Sequence, residues 1–73
     1  MTEKVGISTP FIRLDAFLKL CRAVETGGHA KVMIQSGEVM VNGETCLMRG
    51  KKLTPGCLVQ VKGDAATYEV TAG

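Results

Sequence analysis

A chain of 73 residues holds one domain and, burying only roughly 60% of its unfolded surface, leaves little room for a deep active-site pocket. Its hydrophobic fraction of 45% includes only two Phe, one Tyr and no Trp, so the core is expected to be aliphatic. Nine Lys and Arg against seven Asp and Glu leave a net charge of +2, too small to indicate a polyanion ligand, so any nucleic-acid function must rest on where the charges sit.

Residues 1–10 carry Gly6, Ser8, Thr9 and Pro10 without periodicity and are expected to form a flexible N-terminal arm. A single domain over residues 11–73 follows, with Phe11 and Ile12 anchoring the end of the arm. From Leu14 to Val24, Leu14, Phe17, Leu18, Cys21 and Val24 recur at helical spacing and predict an amphipathic helix. Asp15, Lys19 and Arg22 group on one flank of its polar side, and an Asp15–Lys19 pair at i,i+4 is expected to add roughly 0.2–0.5 kcal/mol. Thr26 is placed to cap a second helix whose buried stripe is Ala30, Met33 and Ile34, and Gly37 to close it in the left-handed conformation. Joined by little more than Glu25, the two helices are expected to pack as a tight, angled pair.

Beyond Gly37 the period becomes two. Val39 and Val41 face one way, Asn42-Gly43 signals a hairpin, and a second strand is predicted from Glu44 to about Arg49. Gly50-Lys51-Lys52 reads as a basic connection and Pro55-Gly56 as a turn. Leu58, Val59 and Val61 form a third strand, and after Gly63-Asp64 a last one carries Tyr68 and Val70. The predicted class is α+β, with two N-terminal helices packed on a small antiparallel sheet.

Little here points to catalysis. His29 has no Ser, Cys or carboxylate at a motif spacing that would make it a catalytic base, and Cys21 lies on the apolar stripe of the first helix. The odd number of cysteines, Cys21, Cys46 and Cys57, contains no Cys-x-x-Cys pair, so neither a disulfide framework nor a metal site is indicated. No apolar run approaches the roughly 18 residues that span a bilayer, and residues 1–4 lack a signal-peptide pattern, so a cytoplasmic protein is expected, with no membrane partner. No cofactor and no small-molecule substrate are expected, and the chain is read as a non-enzyme.

Gly27-Gly28 stands at a helix N-terminus, where uncovered backbone N–H groups favour an anion. Two readings stand: a phosphate cradle, or glycines needed for a positive φ or a close approach to another backbone. Among the basic residues, Arg13 opens the first helix, Lys19 and Arg22 lie along it, Lys31 is one turn into the second, and Arg49, Lys51 and Lys52 cluster on the sheet connection. They either converge into a field that attracts phosphates or are scattered as solvated charge. The scarcity of aromatics argues for recognition of backbone and shape rather than of successive bases.

Four blocks in order carry a family likeness: Arg13-Leu14-Asp15; Thr26 with Ala30-Lys31 and Ile34; Gly37-Glu38-Val39-x-Val41-Asn42-Gly43; and Gly50-Lys51-Lys52-Leu53-x-Pro55-Gly56. From Phe11 to Val61 the chain resembles the RNA-binding domain named after small-subunit ribosomal protein S-four, and most resembles small bacterial proteins made of little more than that domain. Those proteins share a segment like Glu25 to Gly28. The resemblance implies an S-four-like fold with an alpha-L motif, in which two helices and a following loop and hairpin form the RNA-binding surface. It also implies that Arg13, the first turn of the second helix (Thr26, Gly27, Gly28), Lys31 and the Gly50-Lys51-Lys52 loop lie on or near that surface. Two positions depart from the pattern. Broader members often carry Ser-Arg where Thr26-Gly27 stands, implying either lower affinity or a backbone N–H in place of an arginine. Cys57 replaces the Asp that commonly follows the Pro-Gly turn, which bears on turn stability. The expected function is binding of structured RNA, ribosomal or transfer RNA, through phosphates and shape. The alternative is an adaptor docking on a protein of a ribosome-associated or nucleic-acid-processing assembly.

Overall fold

The helical spacing of Leu14, Phe17 and Leu18 is realised in helix α1 (Leu14–Leu20), where all three are fully buried. The computed structural model describes residues 2–73; Met1, the first residue of the expected arm, lies outside the described residues. Helix α1 stops short of the expected Val24 because Arg22 takes a left-handed conformation, φ 64°. There the Arg22 N–H donates to the Lys19 carbonyl at 3.1 Å and the Ala23 N–H to that of Leu18 at 2.9 Å. This is the bonding of a helix closed by a left-handed residue, usually a glycine. Val24 still reaches the core, but from a connection that spans residues 21–26 rather than Glu25 alone.

Helix α2 (Gly27–Gln35) starts where the sequence places it: the Thr26 side chain accepts from the His29 N–H at 3.1 Å. Past its last residue the chain is turned off by Gly37, φ 82°, whose N–H donates to the Ile34 carbonyl at 3.1 Å. Asn42 and Gly43 both take positive φ, 52° and 84°, and form the hairpin turn between two strands, Val39–Val41 and Glu44–Thr45.

In chain order the strands are β1 (Thr2–Gly6), β2 (Ile12–Arg13), β3 (Val39–Val41), β4 (Glu44–Thr45), β5 (Lys52–Leu53), β6 (Leu58–Val61) and β7 (Thr67–Thr71). Five form one sheet in the order β1-β7-β6-β3-β4, and β2 pairs with β5 in a second, two-stranded ribbon. The class is α+β, as expected, but the sheet is mixed rather than antiparallel, and two strands precede the helices. The difference lies in the segment read as a flexible arm. Thr2–Gly6 runs parallel to β7, from Thr2 opposite Thr67 to Gly6 opposite Thr71, and the Ile7 N–H continues the pairing by donating to Thr71 at 2.9 Å. Only Val5 and Ile7 turn inward, too few to register as an alternating strand, and the stabilising partner lies at the far end of the chain. Strand β4 ends at Thr45 instead of near Arg49, and Lys52 belongs to β5 rather than to a loop.

The core is aliphatic around one aromatic: Phe17 is fully buried with Leu14, Leu18, Ile34, Val39, Leu53, Val59 and Val70. Tyr68 borders it at 8% exposure, and its hydroxyl donates to Asp64 Oδ2 at 3.1 Å. Burial first, and then the Asp64 carboxylate, push its pKa from 10.0 up to about 12. Because the folded value is raised, the stability it confers is complete below about pH 10 and is lost as pH rises through about 12. Tyr68 is the chain's one tyrosine and there is no tryptophan, so tyrosinate absorbance follows this group alone. A midpoint well above 10 is expected, moving down in Asp64→Asn. An unshifted midpoint in the folded protein would contradict the Asp64 contact.

Candidate nucleic-acid interface

The first turn of any α-helix has N–H groups without helical partners. In α1 the segment before β5 supplies two: the Leu14 N–H donates to the Lys51 carbonyl at 2.8 Å and the Asp15 N–H to that of Arg49 at 3.1 Å. Next to them Arg13 pairs with Lys52 and Ile12 with Leu53 across the β2–β5 ribbon. Backbone bonds thus hold residues 49–52 against the start of α1, and Arg13, Arg49, Lys51 and Lys52 gather there, all exposed. The Arg13 guanidinium lies beside Gly50, 3.9 Å from where a side chain at that position would begin.

Arg13 Nη2 also meets Asp15 Oδ2 at 3.2 Å, the ion pair of this region. The i,i+4 pairing expected between Asp15 and Lys19 is therefore replaced by one with Arg13, because the extended backbone of Arg13 (ψ 149°) leads straight into the first turn of α1 beside Asp15. Among the described residues Lys19 forms no ion pair. Together with Ala16 and Gly27 these three residues line a shallow groove of about 330 Å3, which links the basic end of α1 to the first turn of α2.

At that first turn the Thr26 hydroxyl is taken up by the cap. Among the described residues nothing accepts from the Gly27 and Gly28 amides. Neither glycine has a positive φ. A side chain at Gly27 would meet nothing within 4 Å, and one at Gly28 only the Thr26 hydroxyl at 4.0 Å. Both intramolecular reasons for a glycine pair, backbone conformation and crowding, are thus absent here.

Of the ten residues singled out from the sequence, Arg13, Lys19, Gly27, Arg49, Lys51 and Lys52 come together, with Gly28 and Thr26 beside Gly27. Arg49, Lys51 and Lys52 stand beside the Arg13 end of the groove without lining it, and Arg22 and Lys31 neither line it nor share those main-chain bonds. Arg22 sits past the far end of α1, a seven-residue helix roughly 10 Å long at 1.5 Å per residue, with Arg13 before its start. Lys31 is exposed one turn beyond Gly27. Phe11, expected to anchor the end of the arm, is instead 42% exposed and lies outside the core cluster, with Lys52 Nζ 4.8 Å from its ring centroid. Its place two residues before Arg13 was the available signal, since alternate residues of an extended segment share a face.

Among the described residues no group of three or more His, Cys, Asp or Glu could hold a metal, and no helix is long and apolar enough to cross a membrane. Burial pushes the Cys21 thiol up, away from the thiolate form a nucleophile needs.

The chain is a small α+β unit with a groove at its helix junction, and the S4 domain family matches residues 5–71: the chain belongs to that family. Within it the chain is similar to the probable ribosome maturation protein RlbA of Bacillus subtilis (strain 168). The two are 40% identical over 63 residues, which cover 86% of this chain and 89% of that protein.

Proposed function

We propose that this chain is a non-enzymatic binding module for structured RNA, ribosomal or transfer RNA, acting in the cytoplasm on ribosome-associated RNA. Arg13, Lys19, Arg49, Lys51 and Lys52 contact backbone phosphates, the Gly27 and Gly28 amides receive one more at the helix N-terminus, and Arg22 and Lys31 extend the field at its margins. Thr26 holds that turn in place. The observation that carries this reading is a groove lined by Arg13 and Lys19 that ends at Gly27, with Arg49, Lys51 and Lys52 held by main-chain bonds beside its Arg13 end. Membership of the S4 domain family and likeness to a probable ribosome maturation protein support RNA of the ribosome as the ligand.

The test is titration of the protein against ribosomal RNA, transfer RNA and a DNA duplex at several salt concentrations. With roughly four to six phosphates contacted, log affinity should fall against log salt with a slope of about −3 to −5. A flat response would remove the reading. The Gly27→Ala/Gly28→Ala variant sharpens it. Alanine in the first turn of α2 is sterically free and should stabilise the fold by up to about 1–2 kcal/mol for the pair. RNA affinity should nevertheless fall, because the methyl groups cover the amides. A more stable variant with unchanged affinity would show that the glycines serve no ligand.

A second reading, an adaptor for a protein partner, is favoured by a different patch. Leu47 and Met48 are 58% and 66% exposed and line a groove of about 420 Å3 with Val41 and Lys51. Recovery of a protein partner that survives nuclease treatment would favour it.

A further inference from the structure

The chain has three aromatic side chains, and only Phe11 is outside the core region: Phe17 is fully buried and Tyr68 is 8% exposed. Phe11 is 42% exposed and absent from the core cluster, yet it immediately precedes β2, beside the basic residues Arg13 and Lys52. It stands two residues from Arg13, and Lys52 Nζ lies 4.8 Å from its ring centroid. About two-fifths of this large apolar residue is left in water, outside the core. Next to cations that hold a phosphate backbone it has the chemistry of a stacking platform, because every nucleobase presents a π-face and base stacking on an aromatic is tolerant of sequence. From this we infer that Phe11 stacks one unpaired nucleobase of the bound RNA, so that the module distinguishes a duplex carrying a bulged or unpaired nucleotide from a continuous one. The inference rests on the RNA-binding reading above. The Lys52 ammonium is held against the same ring, as cation and aromatic attract, and is thereby set beside the phosphate of the stacked nucleotide.

The test uses two RNA hairpins with the same stem, one fully paired and one with a single unpaired 2-aminopurine, against the full chain and its Phe11→Leu and Phe11→Tyr variants. Phe11 lies outside the core cluster, so both variants should fold. Binding should quench the 2-aminopurine fluorescence with the wild type and Phe11→Tyr but not with Phe11→Leu. Phe11→Leu should lose about five- to a hundredfold in affinity for the bulged hairpin and less than about twofold for the paired one. The salt slope should be the same for all three proteins. Salt-dependent binding without quenching, or an equal loss on both hairpins, would overturn the stacking role while leaving the phosphate interface standing. Absence of salt-dependent binding to either hairpin would overturn both.

Discussion

Replacing Arg13, Lys51 and Lys52 together by alanine is expected to reduce affinity for structured RNA by roughly a hundredfold or more near 0.1 M salt, at about 1 kcal/mol or more for each lost charge-assisted contact. The magnitude of the salt slope should fall by about 2 to 3, one for each phosphate released. All three side chains are exposed, and the Arg13–Asp15 pair is a surface contact. The thermal midpoint should therefore move little, since such pairs contribute about 0–1 kcal/mol. The three positions are not equivalent. Arg13 Nη2 neutralises Asp15, whose side chain is only 18% exposed and lines the groove with Lys19. Removing Arg13 leaves that carboxylate facing the incoming phosphates. Arg13→Ala should accordingly cost more than Lys51→Ala, and adding Asp15→Asn should recover part of the loss. Fluorescence anisotropy with a labelled RNA, alongside circular-dichroism melts, reads both quantities. Equal effects at Arg13 and Lys51, with no recovery, would contradict the electrostatics assigned to the groove.

Much of the fold was legible because its determinants are local. Thr26 as a cap, Gly37 as a left-handed stop and Asn42-Gly43 as a hairpin turn each depend on backbone chemistry within a few residues, and the structure places each as the sequence does. The misses share a different physics. Strand β1 is held by a parallel partner more than sixty residues away, which no short window contains. The end of α1 is set by Arg22 in a conformation usually left to glycine, so the apolar spacing up to Val24 ran past it. The spatial grouping of the candidate site was legible only in part. Family likeness grouped Arg13 with the Gly50-Lys51-Lys52 loop, but the bonds that bring them together are main-chain ones, from the Leu14 and Asp15 N–H groups to the Lys51 and Arg49 carbonyls. Side-chain pattern carries no trace of such bonds. Gly27-Gly28 had two open readings in the sequence, and only the space around the two glycines shows that the fold itself does not require them.

That the site depends on the core behind it gives the second large effect. Phe17→Ala is expected to destabilise the domain by about 3–5 kcal/mol, through lost burial and the cavity left behind. The total for 73 residues should be only roughly 4–11 kcal/mol, at the usual 0.05–0.15 kcal/mol per residue. The variant should therefore melt about 12–40 °C lower and approach the unfolded state near physiological temperature. Phe17 is the largest fully buried side chain and sits on the core face of α1. Leu14 and Leu18 on its own side are fully buried, while Ala16 and Lys19 on the other line the groove. RNA binding should be lost with the fold, not independently of it. Phe17→Leu, which keeps most of the volume, should cost less, about 1.5 kcal/mol, and retain binding. Phe11→Ala gives the internal control: the same chemical change at an exposed position outside the core cluster, where the ring meets Lys52, should shift stability by only about 1 kcal/mol. Urea denaturation of the three variants measures the contrast directly. A Phe17→Ala loss as small as that of Phe11→Ala would place the first helix elsewhere than over the sheet, and with it the floor of the proposed RNA groove.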